Sequence, residues 1–115
     1  MDIAGKKAFV IGGTSGIGLK TSLMLADKGA TVVAVSRDPN KAGNLPSNIA
    51  LAALDTRDEE SVETFFETEG GIDILVNSAT GGSRARGPFL EMDITSFKGS
   101  FDKLWGYANV LRYGV

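Results

Sequence analysis

The sequence predicts an α/β chain: a three-layer, doubly wound parallel sheet cut off after its fourth strand and the helix that follows. Three observations carry that prediction. Short β-branched, apolar runs alternate with stretches whose apolar residues recur at three- and four-residue spacing. The strand-like runs lack strict alternation, as expected where both faces of a parallel sheet are covered. The first strand-to-helix junction, "VIGGTSGIGLKT", places Gly12, Gly13, Gly16 and Gly18 close together, a density of glycine that marks tight turns and close backbone approaches.

Ala8 to Ile11 reads as a buried strand running into that turn. From Gly16 the period changes. Ile17, Thr21, Met24 and Leu25 fall at i, i+4, i+7 and i+8 and predict a helix with these residues inward, closed by Gly29 at its C-terminal end. Ala30 to Arg37 is the second strand. The turn-rich "DPNKAGNLPSN" accommodates a short helix or a loop, and Ile49 to Asp55 is the third strand. Thr56 and Glu59 suggest a capping box for a helix through Val62, Phe65 and Phe66, ended by Gly70 and Gly71. Ile72 to Ala79 is the fourth strand, Thr80 to Pro88 a loop, and a last helix starts near Thr95 with Phe97, Phe101, Leu104, Ala108 and Leu111 on its apolar face. Right-handed crossovers then give the strand order 3-2-1-4, with ligands expected beyond the C-terminal ends of the strands. Residues 1–115 are expected to form one domain, a partial one.

Composition narrows the chemistry. The formal net charge of −2 provides no basic field for nucleic acid or an anionic membrane. No run is long and apolar enough to span a bilayer, and the N-terminus lacks the layout of a secretory signal, so a cytoplasmic location is expected. Cysteine and histidine are both absent, which removes disulfides, thiolate nucleophiles, imidazole bases and the usual zinc ligands. No metal site is expected: Asp58, Glu59, Glu60, Glu63 and Glu67 read as the wet face of a helix. Proton chemistry is left to Lys, Tyr, Asp, Glu or a hydroxyl.

A glycine turn at the first βα junction aims backbone N–H groups and the positive end of a helix at one place, which suits a phosphate. A P-loop, the nucleotide-triphosphatase alternative, is disfavoured by register. Leu19 stands where that motif requires Lys, and Lys20 is turned about 100° around the helix from that position. At the end of the second strand come Ser36 and Arg37. In dinucleotide folds a carboxylate at this place accepts from a ribose 2′-hydroxyl, whereas an Arg accommodates a 2′-phosphate. Ser36 and Arg37 therefore favour NADP over NAD.

"GGTSGIG", the strand-end "SR", "LDTRD" and "ILVNSA" together resemble the N-terminal half of the short-chain dehydrogenase/reductase family, oxidoreductases with a Rossmann fold, and the resemblance runs across essentially the whole chain. It implies that Gly12, Thr14, Ser15, Gly16, Ile17 and Gly18 line the pyrophosphate and adenosine ribose. It also implies that Asp55 accepts from the adenine amino group, that Leu54 lies beside the ring, and that Asn77 and Ala79 border the nicotinamide-side ribose. Asp55 and Asn77 also read simply as helix-entry and strand-end residues.

Three departures from the family pattern bear on activity. The family's Asn-Asn-Ala-Gly reads Asn77-Ser78-Ala79-Thr80, which implies a looser turn. Lys103, in "KLWG", takes the place of an Asn that helps a proton relay; it is either part of a relay or a solvent-facing helix lysine. The catalytic Ser and Tyr-x-x-x-Lys are missing: Tyr107 is followed four residues later by Leu111, and Tyr113 lies two residues from the end. No catalytic residue is therefore assigned. The expected function is that of an NADP(H)-binding oxidoreductase acting on a carbonyl or secondary alcohol, inactive alone. The alternative is a non-catalytic nucleotide-binding or protein-interaction module. The apolar fourth strand would form a sheet edge, and Trp105, Val110 and Tyr113 would seek a partner surface, so a homo-oligomer or a complementing polypeptide is expected.

Overall fold

The computed structural model describes residues 2–78 and 88–115, with the side chains of Lys41 and residues 96–100 left aside. Four strands, β1 (Lys7–Ile11), β2 (Thr31–Ser36), β3 (Ile49–Ala53) and β4 (Ile74–Asn77), form one sheet in the order β3-β2-β1-β4, with every pair parallel. The helices are α1 (Gly16–Asp27), α2 (Glu59–Glu69) and α3 (Ile94–Gly114), and Pro39–Ala42 forms one 3₁₀ turn. The strand order is the expected one.

Side chains alternate across the sheet and so build two cores. Phe9, Ile11, Val33 and Val35 join Val62, Phe66 and Val110 on the α2/α3 face, where the Phe9, Phe65 and Phe66 rings lie 5.2 to 5.9 Å apart. Ala8, Val10, Val32 and Ala34 join Ala26 and Ala30 on the α1 face. The α1 face is lined with small residues, so helix and sheet approach closely.

That closeness corrects the predicted inward face of α1. The buried residues are Gly18, Ser22 and Ala26; of the four predicted, Leu25 packs half-buried against the core and Thr21 is half-buried, whereas Ile17 and Met24 are exposed, at 83% and 54%. A seam of small residues at i, i+4 and i+8 packs nearer the sheet than bulkier side chains would allow. Gly29, with φ +92°, closes the helix as expected.

Asp58, not Thr56, caps α2: its carboxylate accepts from Ser61 N at 3.4 Å and Ser61 Oγ at 2.7 Å. Glu59, the other half of the expected capping box, instead accepts from Tyr113 Oη at 2.6 Å. β3 stops at Ala53, although Leu54 N still bonds Ser36 O at 2.9 Å. β4 begins two residues later than predicted.

The largest correction concerns α3. Phe101, Leu104, Ala108 and Leu111 face outward, while Gly106, Asn109 and Val110 face inward. Gly106 decides this orientation, because a Cβ there would lie 2.5 Å from Thr56 Oγ1. Asn109 Nδ2 adds a bond to Thr56 O at 2.9 Å. Of the three residues expected to seek a partner, Val110 is fully buried and Tyr113 packs against the core; Trp105 remains 57% exposed.

Candidate coenzyme site

A cleft of about 820 Å³ opens beyond the C-terminal ends of the strands. Gly12, Thr14, Ser15, Gly16, Ile17, Gly18, Ser36, Arg37, Leu54, Asp55 and Asn77 all line it, brought together from four separate segments. Ala79, the remaining predicted site residue, lies outside the described residues, as does most of the Thr80 to Pro88 loop.

The glycines of the turn serve different ends. Gly12 and Gly16 hold φ of +80° and +53°, the left-handed region where a side chain is strained. Gly13 and Gly18 are there for space. A Cβ at Gly13 would come within 2.6 Å of Val10 O, and one at Gly18 would overlap the Gly12 carbonyl and lie 2.6 Å from Ser78 Oγ. Ser22 Oγ stitches the turn to α1 through Gly13 O at 3.1 Å and Gly18 O at 3.0 Å. Ser15 is the N-cap of α1, yet its side chain makes no cap bond. The amides of the first turn are thus left to another acceptor.

Polar atoms around the cleft point the same way. Ser36 Oγ, Asn77 Oδ1 and Asn77 Nδ2 are buried without a hydrogen-bond partner among the described residues. Such atoms cost stability unless a ligand or water satisfies them. Unpartnered polar atoms thus stand at the C-terminal ends of β2 and β4, on either side of β1 and its glycine turn. Ser78, in place of the family's second Asn, is anchored: its N and Oγ both donate to Ile11 O, at 2.8 and 3.1 Å.

Asp55 carries a feature that the sequence reading missed. Arg57 Nε and backbone N both donate to its Oδ1 at 3.0 Å, and Arg57 Nη2 donates to Oδ2 at 3.0 Å. Arg57 Nη1 also lies 3.7 Å from Asp102 Oδ2 on α3. The hydrogen-bonded guanidinium holds the Asp55 carboxyl below its ordinary value, with Arg37 adding to the effect. Asp-x-Arg spacing was the available signal, but only the fold brings Asp102 to it. Lys103 and Tyr107 line the same cleft, with Lys103 Nζ 5.6 Å from the Tyr107 ring centroid. Lys103 is solvent-exposed at the cleft's rim.

Comparison with known proteins agrees with this geometry. The family model described as "short chain dehydrogenase" matches residues 6–110. The chain belongs to the short-chain dehydrogenase family. Among relatives, it is 36% identical over 105 residues to L-xylulose reductase of Mesocricetus auratus, a match covering 89% of this chain and 42% of that one. The 3-oxoacyl-[acyl-carrier-protein] reductase of Thermotoga maritima is 36% identical over 90 residues, covering 69% of this chain and 37% of the relative. A short-chain dehydrogenase/reductase structure from Mycobacterium ulcerans superposes with a TM-score of 0.85 at 26% identity, over 98% of this chain and 46% of that one. A Burkholderia cenocepacia short-chain dehydrogenase in complex with NADP matches in fold, with a TM-score of 0.85 at 24% identity over 98% and 48% of the two chains. The chain thus spans less than half the length of these short-chain dehydrogenases.

The family is one of oxidoreductases with nicotinamide coenzymes. Among the described residues, no helix is long and apolar enough to cross a membrane, and no group of carboxylates is arranged to hold a metal ion.

Proposed function

We propose that this chain is the NADP(H)-holding part of a cytoplasmic reductase or dehydrogenase whose substrate is a small molecule with a carbonyl or secondary alcohol. The observation that carries the preference for NADP(H) is the end of β2. There the buried, unpartnered Ser36 hydroxyl and the exposed Arg37 guanidinium line the cleft beside the glycine turn. A guanidinium suits a phosphate dianion through paired, charge-assisted hydrogen bonds. The two relatives named above are both called reductases, which supports the reaction class.

In this reading, the amides of the α1 N-terminus and turn bind the pyrophosphate, Ser36 and Arg37 bind the 2′-phosphate, Leu54 and Asp55 border the adenine, and Asn77 and Ala79 border the other ribose. A nicotinamide coenzyme, when bound, supplies or accepts the hydride. Reducing a carbonyl also needs a proton donor at its oxygen, and no Tyr here is followed by Lys at the fourth position. We infer that these 115 residues bind coenzyme without turning over substrate on their own.

The test is fluorescence titration with NADPH and NADH. NADPH is expected to bind at least tenfold more tightly, and Arg37→Asp to abolish that preference, since a charge-assisted hydrogen bond contributes about 1.5–3 kcal/mol. Equal affinity for both coenzymes in the unmodified chain would overturn the preference, and no binding of either would overturn the coenzyme reading itself.

A second reading, a protein-interaction module, draws on the outer face of α3. Leu104, Trp105 and Leu111 are 67%, 57% and 55% exposed there at helical spacing. The proposed occupant is a second copy of this chain, since an isologous contact would let each apolar stripe cover its twin.

A further inference from the structure

We propose that Arg57 is a positioning residue that presents the Asp55 carboxylate to the coenzyme's base and thereby selects adenine over a base with an oxo group at the same position. This rests on the coenzyme reading above, and deepens it.

The argument is a count of acceptors. A carboxylate offers about four lone pairs, two on each oxygen. Arg57 takes both on Oδ1, through its backbone N and Nε, and one on Oδ2, through Nη2, each at 3.0 Å. One acceptor site is left, on Oδ2, and Asp55 lines the cleft. A carboxylate so held accepts one hydrogen bond in a fixed direction. The exocyclic amino group of adenine donates one; the oxo group of hypoxanthine has only lone pairs to offer and meets the carboxylate as like against like.

The guanidinium is braced in turn. Its remaining nitrogen, Nη1, lies 3.7 Å from Asp102 Oδ2, so the adenine end of the cleft is tied to α3. Stability is a poor explanation for this arrangement. The three side chains are 38%, 41% and 47% exposed, and ion pairs so open to solvent contribute little. The bidentate fork fixes geometry, which a point charge such as Lys does not.

The experiment compares NADPH with its hypoxanthine analogue, nicotinamide hypoxanthine dinucleotide phosphate, by fluorescence titration. The proteins are the unmodified chain, Arg57→Ala, Arg57→Lys and Asp102→Asn, each checked for folding by circular dichroism. The unmodified chain is expected to favour NADPH by about tenfold or more, the scale of one hydrogen bond to a charged group. Arg57→Ala should bring that ratio close to one. Arg57→Lys keeps the charge without the fork and should also lose most of it, while Asp102→Asn should reduce it by a smaller factor and keep the inference testable should Arg57→Ala not fold. An unchanged ratio in the folded Arg57 variants, even with weaker binding of both coenzymes, would overturn the positioning role while leaving the coenzyme reading intact. Failure of the unmodified chain to bind either coenzyme would overturn both.

Discussion

The tightest geometric constraint in the site is the approach of α1 to the turn before it, and Gly18→Ala probes it. On an exposed helix this change would be favourable by about 1 kcal/mol. Here the added methyl overlaps the carbonyl oxygen of Gly12 and lies 2.6 Å from Ser78 Oγ. Neither neighbour moves freely: Gly12 N is bonded to Val35 O at 2.7 Å, and Ser78 is bonded twice to Ile11 O. The turn must open, and because the nearest neighbour is backbone the cost lies at the upper end for overpacking, about 3 kcal/mol before the helix gain is set against it. We expect a net loss of about 2 kcal/mol, near 8 °C in melting temperature for a chain of this size, together with loss of NADPH binding. Two companion variants separate clash from backbone strain. Gly16→Ala has open space but φ +53° and should lose about 1 kcal/mol. Gly71→Ala has open space and no left-handed backbone, and should stay within about 0.5 kcal/mol of the unmodified chain. Urea and thermal unfolding of the three variants measure this. A Gly18→Ala chain as stable as Gly71→Ala would refute the close approach of α1.

Two further outcomes follow from other parts of the molecule. Because hydrogen bonding to Arg57 holds the Asp55 carboxyl below its ordinary value, the stability that Asp55 contributes is fully present above the unfolded value and is lost as pH falls through the lowered folded one. With both side chains near 40% exposed, the contribution is below about 1 kcal/mol. The unfolding free energies of the unmodified chain and Asp55→Asn should thus differ by a small constant above about pH 5 and converge in acid; a gap that widened on acidification would contradict the pairing. On α3, Leu104→Glu combined with Trp105→Glu should shift sedimentation from an associated species to monomer, and an unmodified chain that is monomeric at high concentration would rule out the second copy.

The parallel sheet, its strand order and the glycine turn were legible because each rests on local chemistry: β-branched runs, a change of period, and glycines at a βα junction. Helix faces were harder to read. Periodicity places Ile17 and Met24 inward on α1, but the sheet below carries Ala8 and Ala34, and a helix held close by Gly18, Ser22 and Ala26 leaves Ile17 and Met24 outside while Leu23 and Leu25 pack along its flanks. On α3 the same preference for close approach puts Gly106 against Thr56 and leaves Leu104 and Leu111 outside. Apolar spacing identifies a stripe without saying which surface covers it. The Asp55–Arg57–Asp102 arrangement escaped for a related reason, since its last member is 45 positions beyond Arg57 and only the packing of α3 brings it near.

Both misread helices therefore point to one physical arrangement. In α1 and α3 the inward seam carries a glycine where the backbone beneath comes nearest and shapes the cleft: Gly18 above Gly12 on one side, Gly106 above Thr56 on the other. Large side chains on those seams would pack more apolar area but would lift the helices and widen the gap in which Ser36, Asp55 and Asn77 converge. The same packing leaves Leu104 and Leu111 on the outward face of α3. They also offer a second surface for association at no cost to the cleft, so variants on the outer face should change oligomeric state while leaving coenzyme affinity within about twofold, a separation that titration and sedimentation of the same Leu104→Glu, Trp105→Glu chain would test together.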